Sequence, residues 1–282
     1  MSTDEILDLD VARQKMKKWR DDGYRNSDEI ISLGECIILD HANKLGDELW
    51  LLYEQVCIAA FDCNRMDLAL KCLRALDKQF PKSNRVLKLK AMRKEVLGQY
   101  NDAKQIYEVM LEDDPANLSI RKRLIALTKI KNDPEETISA LNAYLKDFMA
   151  DQEAWMELSE LYIKQQEFSK AAFCMEEVML SHPHNHLYHQ RYAEIQYTIN
   201  TPDSMEKARM YFAQALKLDP NNVRALYGLF LTTNSCVAKK GTDAMKTCTW
   251  TAERIANMFN SNVGEYQKQA VTEMMGSLSI TN

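Results

Sequence analysis

Histidine is the residue whose spacing in this chain most suggests chemistry. Four of the five histidines fall within eight residues, at His182, His184, His186 and His189. Clustered imidazoles can bind zinc or nickel. No cysteine or acidic residue adjoins the cluster to complete a ligand set, so we favour a structural role, with His182 near a helix C-terminus and the others capping or packing at the next helix. Metal binding by these four residues stays the alternative.

The glycines exclude the common nucleotide-binding loops. Such loops need clustered glycines so that backbone N–H groups can approach a phosphate. The eight glycines here are never closer than the eleven residues that separate Gly23 from Gly34. The sequence also contains no H-E-x-x-H, G-x-S-x-G or protein-kinase signature, and its carboxylates are distributed as on solvated helix faces. We therefore expect a non-enzymatic protein without a cofactor.

Composition indicates a helical fold. Glycine and proline, 8 and 6 residues, make up about 5% of the chain, against about 12% in an average protein. With 46% apolar and 27% charged residues, the chain can bury a large core, which argues against disorder. Folds rich in strands and turns need more glycine and proline than this chain has.

Charge and targeting signals indicate a cytosolic protein. The net charge is −5, which argues against an extended nucleic-acid surface. The N-terminus begins Met-Ser-Thr-Asp-Glu, unlike a secretory leader. The longest uncharged stretch, residues 225–238, is 14 residues, too short for the roughly 20 apolar residues of a membrane helix. Seven cysteines without a C-x-x-C pair are typical of reduced core residues.

The prolines mark an internal repeat. Pro81, Pro115, Pro183 and Pro220 are separated by 34, 68 and 37 residues, and 34 residues is the length of a tetratricopeptide repeat, a pair of antiparallel helices. The predicted units are 50–83, 84–117, 118–151, 152–185 and 186–222.

Small residues recur where two helices of such a unit must approach closely. The eighth place of successive units holds Cys57, Ala91, Ile125, Ser159 and Ala193, and the twentieth holds Ala69, Ala103, Thr137, Ala171 and Ala208. The unit from 152 shows the repeat pattern most clearly, with Trp155, Leu158, Ser159 and Tyr162 in its first helix. The sequence therefore predicts an all-α fold, a right-handed solenoid of stacked helix pairs.

Flanking segments complete the predicted organisation. Residues 1–49 are predicted to form N-terminal helices that pack on the array of repeats, one over Val11–Trp19 and one capped by Ser27. Residues 50–222 form the array. Residues 223–282 read as a degenerate unit and a C-terminal helical cap, interrupted at Lys239-Lys240-Gly241.

The first helices of stacked units line a concave groove, which is the default binding surface of this architecture. Its charge is polarised: residues 84–131 contain 11 Lys or Arg and 6 Asp or Glu, whereas residues 132–185 contain 3 and 11. Complementary charge on a partner and simple solvation of helix faces both stay open as explanations. The candidate groove residues are Arg85, Lys88, Lys122, Lys129, Glu153, Met156, Glu160, Ile163, Lys164, Gln190, Glu194 and Tyr197.

Two kinds of partner are compatible with such a groove. One class of tetratricopeptide proteins binds the C-terminal carboxylate of chaperones through Lys and Asn side chains of the first helices. In this chain the ninth place of each unit, where that class carries Asn, holds Ile58, Met92, Ala126, Glu160 and Glu194. Because the last two glutamates are expected to repel an acidic tail, we favour a protein partner along the groove. A free adaptor or co-chaperone that binds clients or peptide tails transiently is the alternative.

Longer segments resemble one particular family. They include residues 15–20 (KMKKWR), 45–50 (LGDELW), 151–155 (DQEAW), 183–188 (PHNHLY), 211–218 (YFAQALKL) and the tail 278–281 (LSIT). In these segments the chain is similar to the second subunit of the endoplasmic reticulum membrane protein complex, a cytosolic tetratricopeptide family.

The resemblance implies a scaffold, peripheral on the cytosolic face of the endoplasmic reticulum membrane. Such a scaffold organises other subunits of an insertase for tail-anchored and multipass membrane proteins. The implied partners are cytosolic parts of the third and fifth subunits and the soluble eighth or ninth subunit, so that membrane association is indirect. The family offers no catalytic motif to carry over.

Overall fold

The chain is helical wherever its structure is described. The computed structural model describes residues 9–131, 133–240 and 242–260, together with residues 269 and 273, and shows no strand among them. The helices are α1 (Leu9–Asp21), α2 (Ser27–His41), α3 (Glu48–Asp62), α4 (Met66–Gln79), α5 (Asn84–Val96), α6 (Tyr100–Asp113), α7 (Leu118–Ile130), α8 (Pro134–Asp147), α9 (Gln152–Lys164), α10 (Phe168–Ser181), α11 (His186–Ile199), α12 (Pro202–Leu218), α13 (Val223–Lys240) and α14 (Thr242–Asn260). The predicted all-α class is confirmed. None of the helices in these ranges is long and apolar enough to cross a bilayer.

Helix starts follow the 34-residue stride. The helices α5, α7, α9 and α11 begin at Asn84, Leu118, Gln152 and His186, each the first residue of a predicted unit. Pro134 and Pro202, expected in turns, are instead the first residues of α8 and α12. Proline is favoured at a helix's first position because its missing N–H has no partner there and its φ already suits the helix.

Short turns inside the helix pairs use a left-handed residue. Gly98 has a φ of +73°, and the N–H of Gln99 after it donates to the carbonyl of Lys94 at 2.9 Å. This hydrogen bond closes the C-terminus of the helix. The corresponding left-handed residues elsewhere are Asn64, Gln166 and Asn200.

Two compact units divide the chain, Met1–Asn132 and Asp133–Asn282. Their border falls between α7 and α8, inside the unit predicted at 118–151. In the first unit, α1 and α2 pack on α3, and α3 lies against both α4 and α5. The buried cores surround Val56, between the N-terminal helices and α5, and Tyr107, between α5 and α7.

Ser27 does not cap α2. It is the helix's first residue, and the N-cap residue Asn26 makes no side-chain capping bond. The Ser27 hydroxyl instead donates to Oδ2 of Asp62 on α3 at 2.8 Å. Because Ser27 is already inside the helix, it does not occupy the N-cap position, from which a side-chain oxygen accepts the N–H groups of the first turn.

The second compact unit contains α8 to α14. Consecutive helices pack against each other, and α11 also contacts α13 directly. Its cores surround Val178 and Phe212. In the predicted cap, Ile255 is buried and Trp250 is 52% exposed; the tail 278–281 lies outside the described residues.

The close contact between paired helices depends on the eighth and twentieth places. The Ser159 hydroxyl donates to the carbonyl of Ala171 at 3.0 Å, and the Cys57 thiol donates to the carbonyl of Ala69 at 3.6 Å. Both alanines are fully buried. A larger side chain at the twentieth place would separate the two backbones and remove this hydrogen bond.

Ala171→Leu should therefore destabilise the chain by about 1–3 kcal/mol through overpacking. The control is Ala213→Leu. Ala213 is exposed on α12 of the same compact unit, so this substitution should change stability by less than about 0.5 kcal/mol. Urea unfolding of both variants checks this, and equal effects would contradict the close-contact explanation.

Candidate partner-binding groove

A groove of about 300 Å³ lies in the first compact unit, between the N-terminal helices and the first helices α3, α5 and α7. Its aromatic lining comes from Trp19 and Tyr24, and its apolar lining includes Ile58 and Met92. Since the two apolar residues occupy the place where chaperone-binding repeats carry Asn, the groove has an apolar wall instead of a hydrogen-bonding one there.

One charged pair in the groove joins the connection between α1 and α2 to α3. Both the Nε and Nη2 of Arg25 donate to the carboxylate of Asp62, the Nε at 2.7 Å. The hydrogen bond from Arg25 lowers the pKa of Asp62, and Ser27 adds to this lowering against the opposing effect of burial. The pair is thus internally neutralised.

A second pair fixes the α7 side of the groove. Nη1 of Arg123 donates to Oε2 of Glu95 at 2.6 Å, and the hydroxyl of Tyr107 donates to Oε1 of the same carboxylate at 2.7 Å. Burial and this hydrogen bond both raise the pKa of Tyr107. Glu95 thereby connects α5, α6 and α7.

Two further cations line the groove without a carboxylate. Nζ of Lys88 donates to the hydroxyl of Ser119 at 2.7 Å, and Nη1 of Arg20 donates to Oε1 of Gln55 at 3.3 Å. Neither has an ion pair within 4 Å in the described part of the chain. Burial lowers the pKa of Lys88, and Arg123 lowers it further.

The other candidate residues of this unit lie outside the groove. Arg85 forms an ion pair with Glu54, and the pair lies at the rim of a separate cavity of about 490 Å³ whose apolar walls include Trp50 and Phe80. Lys122 and Lys129 are exposed on α7.

In the second unit, arginines neutralise the glutamates of the first helices. Arg191 donates to Glu160 at 2.6 Å and to Glu194 at 3.0 Å, and Nε of Arg224 lies 2.6 Å from Glu194. Both glutamates therefore have arginine partners within the chain, and the repulsion of an acidic tail by Glu160 and Glu194 stays a prediction.

The other candidates in this unit differ in accessibility. Glu153, Met156 and Lys164 are exposed, whereas the half-buried Ile163 and Tyr197 pack against the cores. Gln190 was expected to be exposed, but it is only 8% exposed. Its side chain accepts from Asn222 at 2.9 Å and donates to Glu194 at 2.8 Å, so it joins helices instead of facing a partner.

The histidines make separate contacts. His186 lies 2.9 Å from Nδ2 of Asn222 through its Nδ1, whereas buried His189 contacts the carbonyl of Pro183 at 2.7 Å and stacks on Tyr211. His182 packs edge-on against Tyr188, and His184 is exposed. No three His, Cys, Asp or Glu side chains are grouped to hold a metal ion in the described residues.

Comparison with known proteins decides the family. The family model described as EMC2 TPR-like repeat domain matches residues 66–211, and a tetratricopeptide repeat model matches residues 203–222. ER membrane protein complex subunit 2-A of Xenopus laevis is 45% identical over 280 residues, 95% of this chain and 94% of that protein. ER membrane protein complex subunit 2 of Dictyostelium discoideum is 31% identical over 234 residues, 78% of this chain and 73% of that protein. The chain belongs to the ER membrane protein complex subunit 2 family.

A solved structure supports the repeat fold of this family member. The C-terminal part of a TPR repeat-containing protein from Cytophaga hutchinsonii matches it with a TM-score of 0.61 at 14% identity, covering 90% of this chain and 96% of that chain. At this identity the likeness shows the fold alone.

Sequence reasoning missed the contribution of the N-terminal helices to the groove of this family member. Arg20, Tyr24 and Arg25 lie in segments predicted only to pack on the array, yet they line the groove. Their one available signal was the basic end of α1, at Lys18 and Arg20. Arg123 was adjacent to the predicted Lys122 but was not selected.

Tyr107→Phe should lower stability at pH 7.5 by about 1–2 kcal/mol, because Glu95 loses a buried hydrogen bond. Since the pKa of Tyr107 is raised on folding, its contribution is present below the ordinary tyrosine pKa, near 10, and is lost as pH rises through the folded value. The variant's stability should therefore fall less steeply above pH ~10. Urea unfolding at several pH values checks this against Tyr24→Phe, which changes an exposed ring; identical pH profiles for Tyr107→Phe and the unaltered chain would contradict it.

Proposed function

We propose that this chain is a non-enzymatic scaffold subunit of an ER membrane protein complex. The observation that carries the proposal is the 45% identity, over 95% of the chain, to a protein named as subunit 2 of that complex. The groove of the first unit supports it, since aromatic, apolar and basic side chains together suit a polypeptide surface.

The finer placement also belongs to this proposal. We propose that the chain lies on the cytosolic face of the endoplasmic reticulum membrane and is held there by its partners. Those partners are cytosolic parts of the third and fifth subunits and the soluble eighth or ninth subunit. In this arrangement the chain organises an insertase for tail-anchored and multipass proteins and holds the other subunits in register.

Sedimentation separates a scaffold from a free adaptor. We expect the endogenous chain to sediment entirely within a large detergent-solubilised membrane complex, with partners identified by mass spectrometry after co-purification. A chain found mostly as a free monomer would favour the transient adaptor or co-chaperone instead.

Charge reversal tests whether the first-helix face is the assembly surface. Lys88→Glu with Lys122→Glu should weaken co-purification of other subunits, while the isolated chain loses less than about 1 kcal/mol of stability. The reason is that Lys122 is exposed and that the half-buried Lys88 has a hydroxyl, not a carboxylate, as its hydrogen-bond partner. The matched control reverses Lys78 and Lys217, exposed lysines on the second helices α4 and α12. Unchanged recovery of every subunit with the Lys88 and Lys122 variant would remove this face from the interface.

A further inference from the structure

We propose that the groove of the first unit binds an acidic side chain from an apolar segment of a partner protein, and that Lys88 and Arg20 are the residues that select it. The inference rests on the proposed function, because it names the chemistry of the segment that the scaffold holds. It depends on which charges in the groove are already neutralised.

The balance of charge in the groove is positive. Four basic side chains line it, together with the carboxylate of Asp62. Asp62 already forms an ion pair with Arg25. Arg123 forms one with Glu95, which does not itself line the groove. Lys88 and Arg20 keep only neutral oxygen acceptors, from Ser119 and Gln55.

Lys88 is the more informative of the two. It lies half-buried, and burial is the largest cause that lowers its pKa. Arg123 and Arg85 lower this pKa further, and the carboxylate of Glu54 offsets them only in part. A hydroxyl compensates a desolvated ammonium less well than a carboxylate does, since charge-assisted hydrogen bonds to an ionised acceptor are the stronger class. An arriving carboxylate would supply the acceptor that Lys88 lacks in the chain itself.

The uncharged lining defines the rest of the occupant. Ile58 and Met92 form an apolar surface beside the cations, and the ring centroids of Trp19 and Tyr24 lie 6.3 Å apart. A volume of about 300 Å³ is at the lower end of ligand pockets and suits a few side chains of a segment. A protein segment with one or two acidic residues beside apolar ones matches this lining better than a nucleic acid or a lipid headgroup, which would leave the apolar surface uncovered.

Photo-crosslinking in the assembled complex tests the inference. Tyr24 is 56% exposed at the groove, so it is replaced by benzoylphenylalanine, the chain is expressed in cells, and crosslinked peptides from the solubilised complex are identified by mass spectrometry. We expect one partner segment with Asp or Glu beside apolar residues. Lys88→Glu should reduce this crosslink at least about tenfold, because it replaces attraction of the acidic side chain by repulsion, and Arg20→Glu should also reduce it.

Two control variants separate binding from folding. Lys88→Arg keeps the positive charge and should retain the crosslink within about twofold, whereas Lys78→Glu, the same reversal on α4, should leave it unchanged. The melting temperature of each isolated variant should stay within about 2 °C of the unaltered chain.

The outcomes distinguish this inference from the proposed function. A crosslinked segment that is neutral or basic, a crosslink to lipid, or a crosslink that survives Lys88→Glu overturns the inference while the chain still co-purifies with the complex. A chain that co-purifies without any crosslink at Tyr24 also overturns the inference alone. A chain that never enters the complex overturns both.

Discussion

The fold depends on how closely the two helices of a pair approach each other. At the twentieth place of their repeats, Ala69, Ala103, Ala171 and Ala208 are all fully buried. Where the eighth place carries a hydroxyl or a thiol, as at Ser159 and Cys57, that group donates a hydrogen bond to the backbone carbonyl of the alanine at the twentieth place. In these four repeats a side chain of one carbon therefore sets the separation of the two backbones, whereas the third repeat has the buried Thr137 there. Because the packing of one helix pair on the next depends on the geometry within each pair, the small residue at the twentieth place has more influence on the structure than its own buried area indicates.

The stride of the pairs brings first helices alongside one another, and their charges then pair between helices. Arg85 pairs with Glu54 and Arg191 with Glu160, in each case 31 residues apart, and Arg224 pairs with Glu194, 30 residues back. A separation slightly below the 34-residue repeat is expected when a side chain reaches to the neighbouring first helix. Within each compact unit these charges thus stabilise contacts between neighbouring repeats, so a count of exposed charges overestimates what a partner can reach.

Periodic features of the chain could be predicted from its sequence, and individual side-chain partners could not. Helix class and helix starts follow from proline spacing and small residues, which act locally and recur. The burial of Gln190 depends on Asn222, 32 residues further along the chain, and the ion pair of Glu160 depends on Arg191. No spacing within one helix reveals such partners. The same limit hid the groove, because Arg20 on α1 and Arg25 after α1 reach it from a segment that precedes the first repeat.

Pairing also gives a physical criterion for separating structural charges from binding charges. Arg123 and Arg85 each pair with a carboxylate of the chain, Glu95 and Glu54, and these contacts account for their charges. Lys88 lies near them with a hydroxyl as its hydrogen-bond partner. Burial lowers the pKa of Lys88, as do Arg123 and Arg85, and the carboxylate of Glu54 offsets this only in part. A lysine in that position contributes little to folding that an uncharged side chain of similar length would not contribute. Its charge is best accounted for by an acceptor from another molecule, which would reverse the unfavourable balance at this one position and leave the ion pairs around it intact.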